Sequence, residues 1–335
     1  MIRLRIAALF ALWLTGSLLC ASQASAATTC SATLSSLVFG STDVTGYTAA
    51  TASLSVTCTT SALPQSGNAK VKLCLGIGKA ADPRAMLNAT GDTLNFQMYQ
   101  NAAYSTIWGS SLGSAPANEP LQVDLDYAVP ISTGGSSTRG YTLYGRIPPQ
   151  VSAAAGIYTD SYFGNNTDLA FQYNTSTSGE AAYPVSCTAG GTAGTTSTFG
   201  FEVTSTVPAS CEFSSATDLS FGSHAGPIAS AQDNTSSVTM ICRNRTAWNL
   251  GLDNGQNHDG GTRRMRLGST GNYVGYQLFR DSSHNLAWGS TIGTDTATGT
   301  GTGSAQSQTV YGHVPASQNV PAGSYNDTIT VTVTY

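Results

Sequence analysis

The segment Tyr144-Gly145-Arg146-Ile147-Pro148, followed by Gly156-Ile157-Tyr158-Thr159-Asp160, returns as Tyr311-Gly312-His313-Val314-Pro315 followed by Gly323-Ser324-Tyr325-Asn326-Asp327, both at one offset of 167 positions. The chain is one module written twice, so any fold it adopts must close twice with the same residues. The copies end differently. The second stops soon after Asp327, whereas the first runs on for dozens of residues before the next copy begins.

Further matches show what the copies share. Leu73-Cys74-Leu75 with Gly78 aligns with Leu250-Gly251-Leu252 with Gly255, Arg84-Ala85-Met86 with Arg263-Arg264-Met265, and Trp108-Gly109 with Trp288-Gly289. Shared residues are expected to be scaffold, and a Trp-Gly pair ending a strand reads as a core anchor rather than a ligand platform. Apolar residues alternate in short runs such as Leu54 and Val56, Val71, Leu73 and Leu75, Leu94, Phe96 and Met98, and Val123, Leu125 and Tyr127, with turn residues between. Period-two runs at this spacing predict an all-β protein of two immunoglobulin-like β-sandwiches in tandem.

The start of the chain reads as a signal peptide over residues 1–26. Arg3 and Arg5 form a basic region, Ile6 to Cys20 an apolar stretch short for a membrane span, and Ala24-Ser25-Ala26 a cleavage pattern. Leu19 stands where a lipidated Cys20 would want a small residue. The six remaining cysteines suit an oxidising compartment. Cys30 to Cys58 and Cys211 to Cys242 open the two modules with similar spacing, which pairs them and leaves Cys74 to Cys187. Zinc is disfavoured because Cys-x-x-Cys is absent and no His lies close to a Cys.

The Tyr-Gly-x-(Ile/Val)-Pro, Gly-x-Tyr-x-Asp and Arg-x-Met…Trp-Gly patterns, the early cysteine pair and the alternating end Thr328-Ile329-Thr330-Val331-Thr332-Val333-Thr334-Tyr335 resemble the spore coat protein U domain family. The match is looser in the first module, where Ser161-Tyr162-Phe163-Gly164 replaces the alternating terminal strand. That family includes the pilins of archaic, Csu-type chaperone-usher pili, and a two-module member resembles their tip adhesins. The resemblance implies an N-terminal adhesin domain over 27–207 and, over 208–335, a pilin domain that lacks a strand and accepts one from a neighbour. It implies as partners a periplasmic chaperone, an outer-membrane usher, an adjacent pilin, and an abiotic or host surface. The location implied is the pilus tip, reached by secretion through the periplasm.

Ordinary pilins carry a donor segment before the first cysteine, and here only Ala27-Thr28-Thr29 stands there, so the chain is expected to accept a strand without giving one. A donor-like segment occurs internally, with Phe199, Phe201, Val203 and Val207 on one face of an extended run. It is expected to complete the first module. Ile329, Val331, Val333 and Tyr335 are expected to rim the groove left open in the second.

The first module is longer between matched positions in two places, which puts Leu63 and Pro64 in one inserted loop and Leu112 and Pro116 in another; Tyr162 and Phe163 lie in a third divergent region. Apolar residues in Gly/Ser-rich loops are expected to contact a surface, as the finger loops of Csu-type tip adhesins do. A lectin using Tyr- and Asn-rich loops and a secreted coat protein are the alternatives.

Catalysis is not expected. Asp124 and Asp126 read as a solvated strand face, the four histidines as surface or turn residues with no metal, and Asp253–Gly260 as a polar turn rather than a calcium loop. No cofactor is expected, and a net charge of -4 without a basic stripe argues against nucleic acid.

Overall fold

The computed structural model describes residues 26–78, 84–110 and 119–335. The first copy forms β1 (Thr28–Leu34), β2 (Leu37–Ser41), β3 (Thr48–Thr60), β4 (Gly67–Ile77), β5 (Arg84–Leu87), β6 (Thr93–Tyr99), β7 (Leu121–Val129), β8 (Gly135–Ile147), β9 (Gly156–Tyr162), β10 (Thr167–Ser176), β11 (Thr192–Ala193) and β12 (Phe201–Val207). The second forms β13 (Cys211–Ala216), β14 (Gln232–Cys242), β15 (Ala247–Leu252), β16 (Arg263–Leu267), β17 (Tyr273–Phe279), β18 (Ala297–Thr300), β19 (Ala305–Val314), β20 (Tyr325–Asn326) and β21 (Val331–Thr334). A single 3-10 turn at Gly164–Asn166 is the one helical element among the described residues.

Each copy is a two-sheet sandwich. In the first, β1-β3-β8-β6-β5-β9-β12-β2 faces β11-β10-β4-β7, and in the second β13-β14-β19-β17-β16-β20 faces β18-β15-β21. Alternation drives this layering: in β3, Leu54, Val56 and Cys58 point into the core while Ser53, Ser55 and Thr57 point out. Disulfides join Cys30 to Cys58, Cys74 to Cys187 and Cys211 to Cys242. The first and third link residues that stand directly opposite each other, in β1–β3 and β13–β14.

The repeated motifs have local physical reasons. Trp108 and Trp288 are buried, and each indole N–H donates over 2.8 Å to a carbonyl of the opposite sheet, Leu75 O and Leu250 O. Arg84 and Arg263 are buried beside them and donate to the Trp108 and Trp288 carbonyls, at 2.9 and 2.7 Å. Tyr158 and Tyr325 each donate over 2.8 Å to the carbonyl four residues back. The motif glycine is a matter of space. A Cβ on Gly145 would lie 2.5 Å from Leu37 Cδ2, and one on Gly312 would lie 2.4 Å from Leu219 Cδ2.

The copies meet where Ala155 N–H donates to Asn244 O at 2.8 Å and Arg245 reaches Asp92 at 3.1 Å. Hydrogen bonds from Asn88 and Thr90, and then from Arg245, hold the Asp92 carboxyl at about 2. In an unfolded chain it would titrate near its ordinary 3.8.

Two outcomes are expected. Gly145→Ala is to lower stability in urea by about 1–3 kcal/mol, since fully buried Leu37 has nowhere to move, and Gly312→Ala by less, since half-buried Leu219 can swing aside. Because the Asp92 pKa is depressed, its stabilising contribution is complete above pH 3.8 and is lost as pH falls through about 2. An acid titration of wild type against Asp92→Asn, which lacks the dependence, checks this.

Candidate functional site

The two copies match strand for strand along the larger sheet until β9 and its counterpart β20. Beyond β9, the first copy inserts β12, antiparallel to β9 from Phe201↔Tyr162 to Val207↔Gly156 and parallel to β2 on its other edge. Phe199, Phe201, Val203 and Val207 are all buried. Phe201 stacks on Tyr162 at 4.7 Å between ring centroids, and Phe199 stacks on Trp108 at 6.1 Å. Just upstream, Ser197 bridges to Leu169 of β10, so this segment touches both sheets and closes the sandwich.

In the second copy the described residues supply no strand beyond β20. Leu219-Ser220-Phe221-Gly222-Ser223 repeats the β2 sequence Leu37-Val38-Phe39-Gly40-Ser41 but carries no strand assignment. Leu37, Phe39, Met86, Tyr158, Tyr162 and Phe171 are buried in the first copy. Their counterparts Leu219, Phe221, Met265, Tyr325, Ile329 and Val333 are only half-buried. The difference is an apolar trough beside β20, which ends its sheet and pairs with β16 alone. Ile329, Val331 and Val333 are half-buried against the core, while Tyr335, past the end of β21, is exposed. Leu219 and Phe221 were missed from sequence; the recurrence of Leu-x-Phe-Gly-Ser was the available signal.

A second feature lies at the far pole of the first copy. β3 and β8 each run 13 residues, from the Thr48/Ile147 end near the junction to the Thr60/Gly135 end. That places the second end about 40 Å from the junction. Loops 61–66 and 130–134 and the start of loop 177–191 converge there: a Cβ on Gly134 would touch Thr60 O and Ala62 N, and Asn68 bonds to Gly179 O and Ala181 N. Pro64 and Ile131 are exposed at this pole, whereas loop 177–191 runs back from it over the outer face of the smaller sheet, where Tyr183 lies against Lys70 and Val185, 83% exposed, precedes the Cys74–Cys187 bridge about 23 Å along β4. Gly251 occupies the Cys74 position in the second copy, so the stapled loop belongs to the first alone.

Two expected surface residues need correction. Leu63 is 7% exposed and packs under its loop with Ala26, Ala69 and Val129, because the loop folds its one large aliphatic side chain inward. Tyr162 is fully buried, since the alternation of β9 turns it toward Phe201. Phe163 is 55% exposed. It adjoins the start of β10, however, whereas Pro64 adjoins its end at Ser176, ten residues along. They stand about 30 Å apart and do not form one patch. Leu112 and Pro116 lie outside the described residues.

Other clusters are structural. Asp124 pairs with Lys72 at 3.4 Å. In the turn after β15, Asp253 accepts the Gly255 and Thr330 N–H groups, and Asp327 those of Gln256 and Asn257, so the carboxylates already serve backbone donors. A cleft of about 440 Å³ at the junction is lined by Asp92, Asn95, Gln150, Ser152 and Asn244, with no aromatic ring against which a sugar would stack. Histidines 284 and 313, far apart in sequence, come together with Asp233.

Phe201→Ala is expected to destabilise the first copy by about 3–5 kcal/mol, because it empties the space between Tyr162 and Trp108. Phe163→Ser should change stability by less than about 1 kcal/mol. Paired denaturant melts distinguish them.

A model of the Spore Coat Protein U domain matches residues 15–165 and 197–332. Protein U of Myxococcus xanthus is 42% identical over 73 residues, a stretch that covers 22% of this chain and 40% of that protein. The CsuC-CsuE chaperone-tip adhesion subunit pre-assembly complex of Acinetobacter baumannii Csu pili is similar at a TM-score of 0.42 and 17% identity, over 92% of this chain and 100% of that one. The CupB6 tip adhesin of Pseudomonas aeruginosa gives a TM-score of 0.30 at 9% identity, over 91% of this chain and 93% of that one. With both copies matched across most of their length, the chain belongs to the Spore Coat Protein U domain family.

Proposed function

We propose that this protein is the non-enzymatic tip adhesin of an archaic chaperone-usher pilus. Residues 27–207 hold an abiotic or host surface, and residues 208–335 accept a donor strand from a periplasmic chaperone and then, at the outer-membrane usher, from the next pilin. One observation carries the reading: six side chains sealed by β12 in the first copy have half-buried counterparts in the second, where the sealing strand is lacking. An incoming strand that repeats β12 would run antiparallel to β20 and parallel to Leu219–Ser223, placing alternate apolar side chains into the groove. The disulfides fit export to an oxidising compartment, and no helix among the described residues is long and apolar enough to cross a membrane.

The surface-binding end is assigned to the far pole. Pro64 and Ile131 at the pole, and Tyr183 and Val185 on the loop that runs back from it toward the Cys74–Cys187 bridge, present apolar area on segments tied down by a disulfide and short turns, so little ordering entropy opposes contact. The junction cleft offers polar groups but no stacking ring, which favours apolar attachment over a lectin.

A peptide of sequence Thr198–Val207, added to the mature chain, is expected to raise the melting temperature of the second copy and leave the first unchanged. A second copy that is monomeric, fully exchange-protected and indifferent to the peptide would contradict strand acceptance and favour a coat protein. Replacing Ile131, Tyr183 and Val185 together by Ser is expected to cut attachment to plastic severalfold while secretion holds. Unchanged attachment that free glycans inhibit would support the lectin instead.

A further inference from the structure

On the outer face of the second sandwich, away from the groove, three segments bring two imidazoles and a carboxylate to one point. Asp233 of β14 stands directly across from His313 of β19, and His284 reaches over from the loop after β17. His313 Nδ1 lies 2.6 Å and His284 Nε2 lies 3.9 Å from Asp233 Oδ1, and all three potential ligand atoms fall within 4.8 Å of one another. Donors around a tetrahedral zinc-like ion stand about 3.4 Å apart, given metal–nitrogen and metal–oxygen bonds near 2.1 Å. Small side-chain rotations reconcile the two sets. Phe279 packs beside both rings, 5.0 Å from His284 and 6.5 Å from His313, and closes one side. The imidazoles keep about a quarter of their surface exposed and Asp233 more than half, so the remaining coordination positions face solvent.

The first copy supplies an independent comparison at the same place. There Arg146 occupies the His313 position, Tyr104 the His284 position and Ala49 the position across the ladder. The Arg146 guanidinium lies 3.6 Å over the Tyr47 ring and 4.9 Å over that of Tyr104. The backbone is common to both, since Tyr104 and His284 share the left-handed conformation, φ 54° and 55°, and each N–H donates to the carbonyl three residues back at 3.2 Å. The loop geometry is therefore scaffold, and only the chemistry differs. The first copy carries its own cation on this face; the second replaces it with three donors able to bind one. Asp281, whose carboxylate accepts the Leu286 and Asn285 N–H groups, adds further negative charge beside His284.

We infer that Asp233, His284 and His313 bind a divalent transition-metal ion of the zinc type on the outer face of the second copy. Two nitrogens and one oxygen select such ions over magnesium or calcium, which prefer all-oxygen shells. The bound ion takes the place of the direct contact between His313 Nδ1 and Asp233 Oδ1 and ties β14, β19 and the loop after β17 together. It stiffens the sandwich on the face opposite its open groove.

Zinc chloride titrated into the metal-stripped mature chain, followed by calorimetry, tests this directly. One ion per chain is expected, with affinity falling at least about tenfold in His284→Ala and in His313→Ala and unchanged in His258→Ala. Absence of binding at millimolar zinc, or stoichiometric binding indifferent to both substitutions, overturns the site. A readout on wild type covers variants that fail to fold: substoichiometric copper(II) is expected to broaden the His284 and His313 imidazole resonances ahead of those of His224 and His258. Broadening of all four together counts against the inference. Neither result depends on whether the groove takes a donor strand.

Discussion

The structure turns on a strand edge that has to be satisfied. A sandwich of this kind leaves a gap between β9 and β2, and the gap exposes both backbone donors and acceptors and a trough of apolar side chains. In the first copy β12 answers both demands at once, with a backbone ladder along Gly156–Tyr162 and Phe201 stacked on Tyr162 inside. The second copy has the same trough and the same buried Trp-Arg pair beneath it, but no strand among the described residues fills it. One sequence thus yields one sealed body and one that is incomplete by construction.

What the copies share and where they part follow from this. The Trp288 bond to Leu250 O and the Arg263 bond to Trp288 O reproduce the Trp108 bond to Leu75 O and the Arg84 bond to Trp108 O, so the core of the open copy is already organised. Losses are seen at residues facing the trough, where Leu219 and Phe221 stay half-buried and β20 is two residues long against the seven of β9. An open copy that is ordered elsewhere can accept a strand without refolding, which keeps the entropic cost of association low. The first copy, sealed internally, is free to vary its loops, and its additional disulfide anchors one that has no equivalent in the second.

The sequence made the architecture legible because alternation and the repeat are both local signals. Leu54, Val56 and Cys58 announce an inward face by spacing alone, and duplicated cysteine spacing selects two of the three bridges. Loop residues were harder to place, since their burial is decided by packing. Leu63 turns inward onto Ala69 and Val129, and Tyr162 continues the inward phase of β9 where the sequence suggested a divergent loop. Pairing partners far apart in the chain were hidden for a similar reason: His284 and His313 meet because β17 and β19 are neighbours in the sheet, which their spacing does not reveal.

The direction of β12 has a mechanical meaning as well. Any pull between the far pole and residues beyond Val207 runs lengthwise along this strand, which is held by β9 on one side and β2 on the other. Hydrogen bonds loaded lengthwise share the force and must rupture together, whereas bonds pulled from one end open one after another. The strand that closes the first copy is therefore also its tether, gripped in shear by β9 and β2.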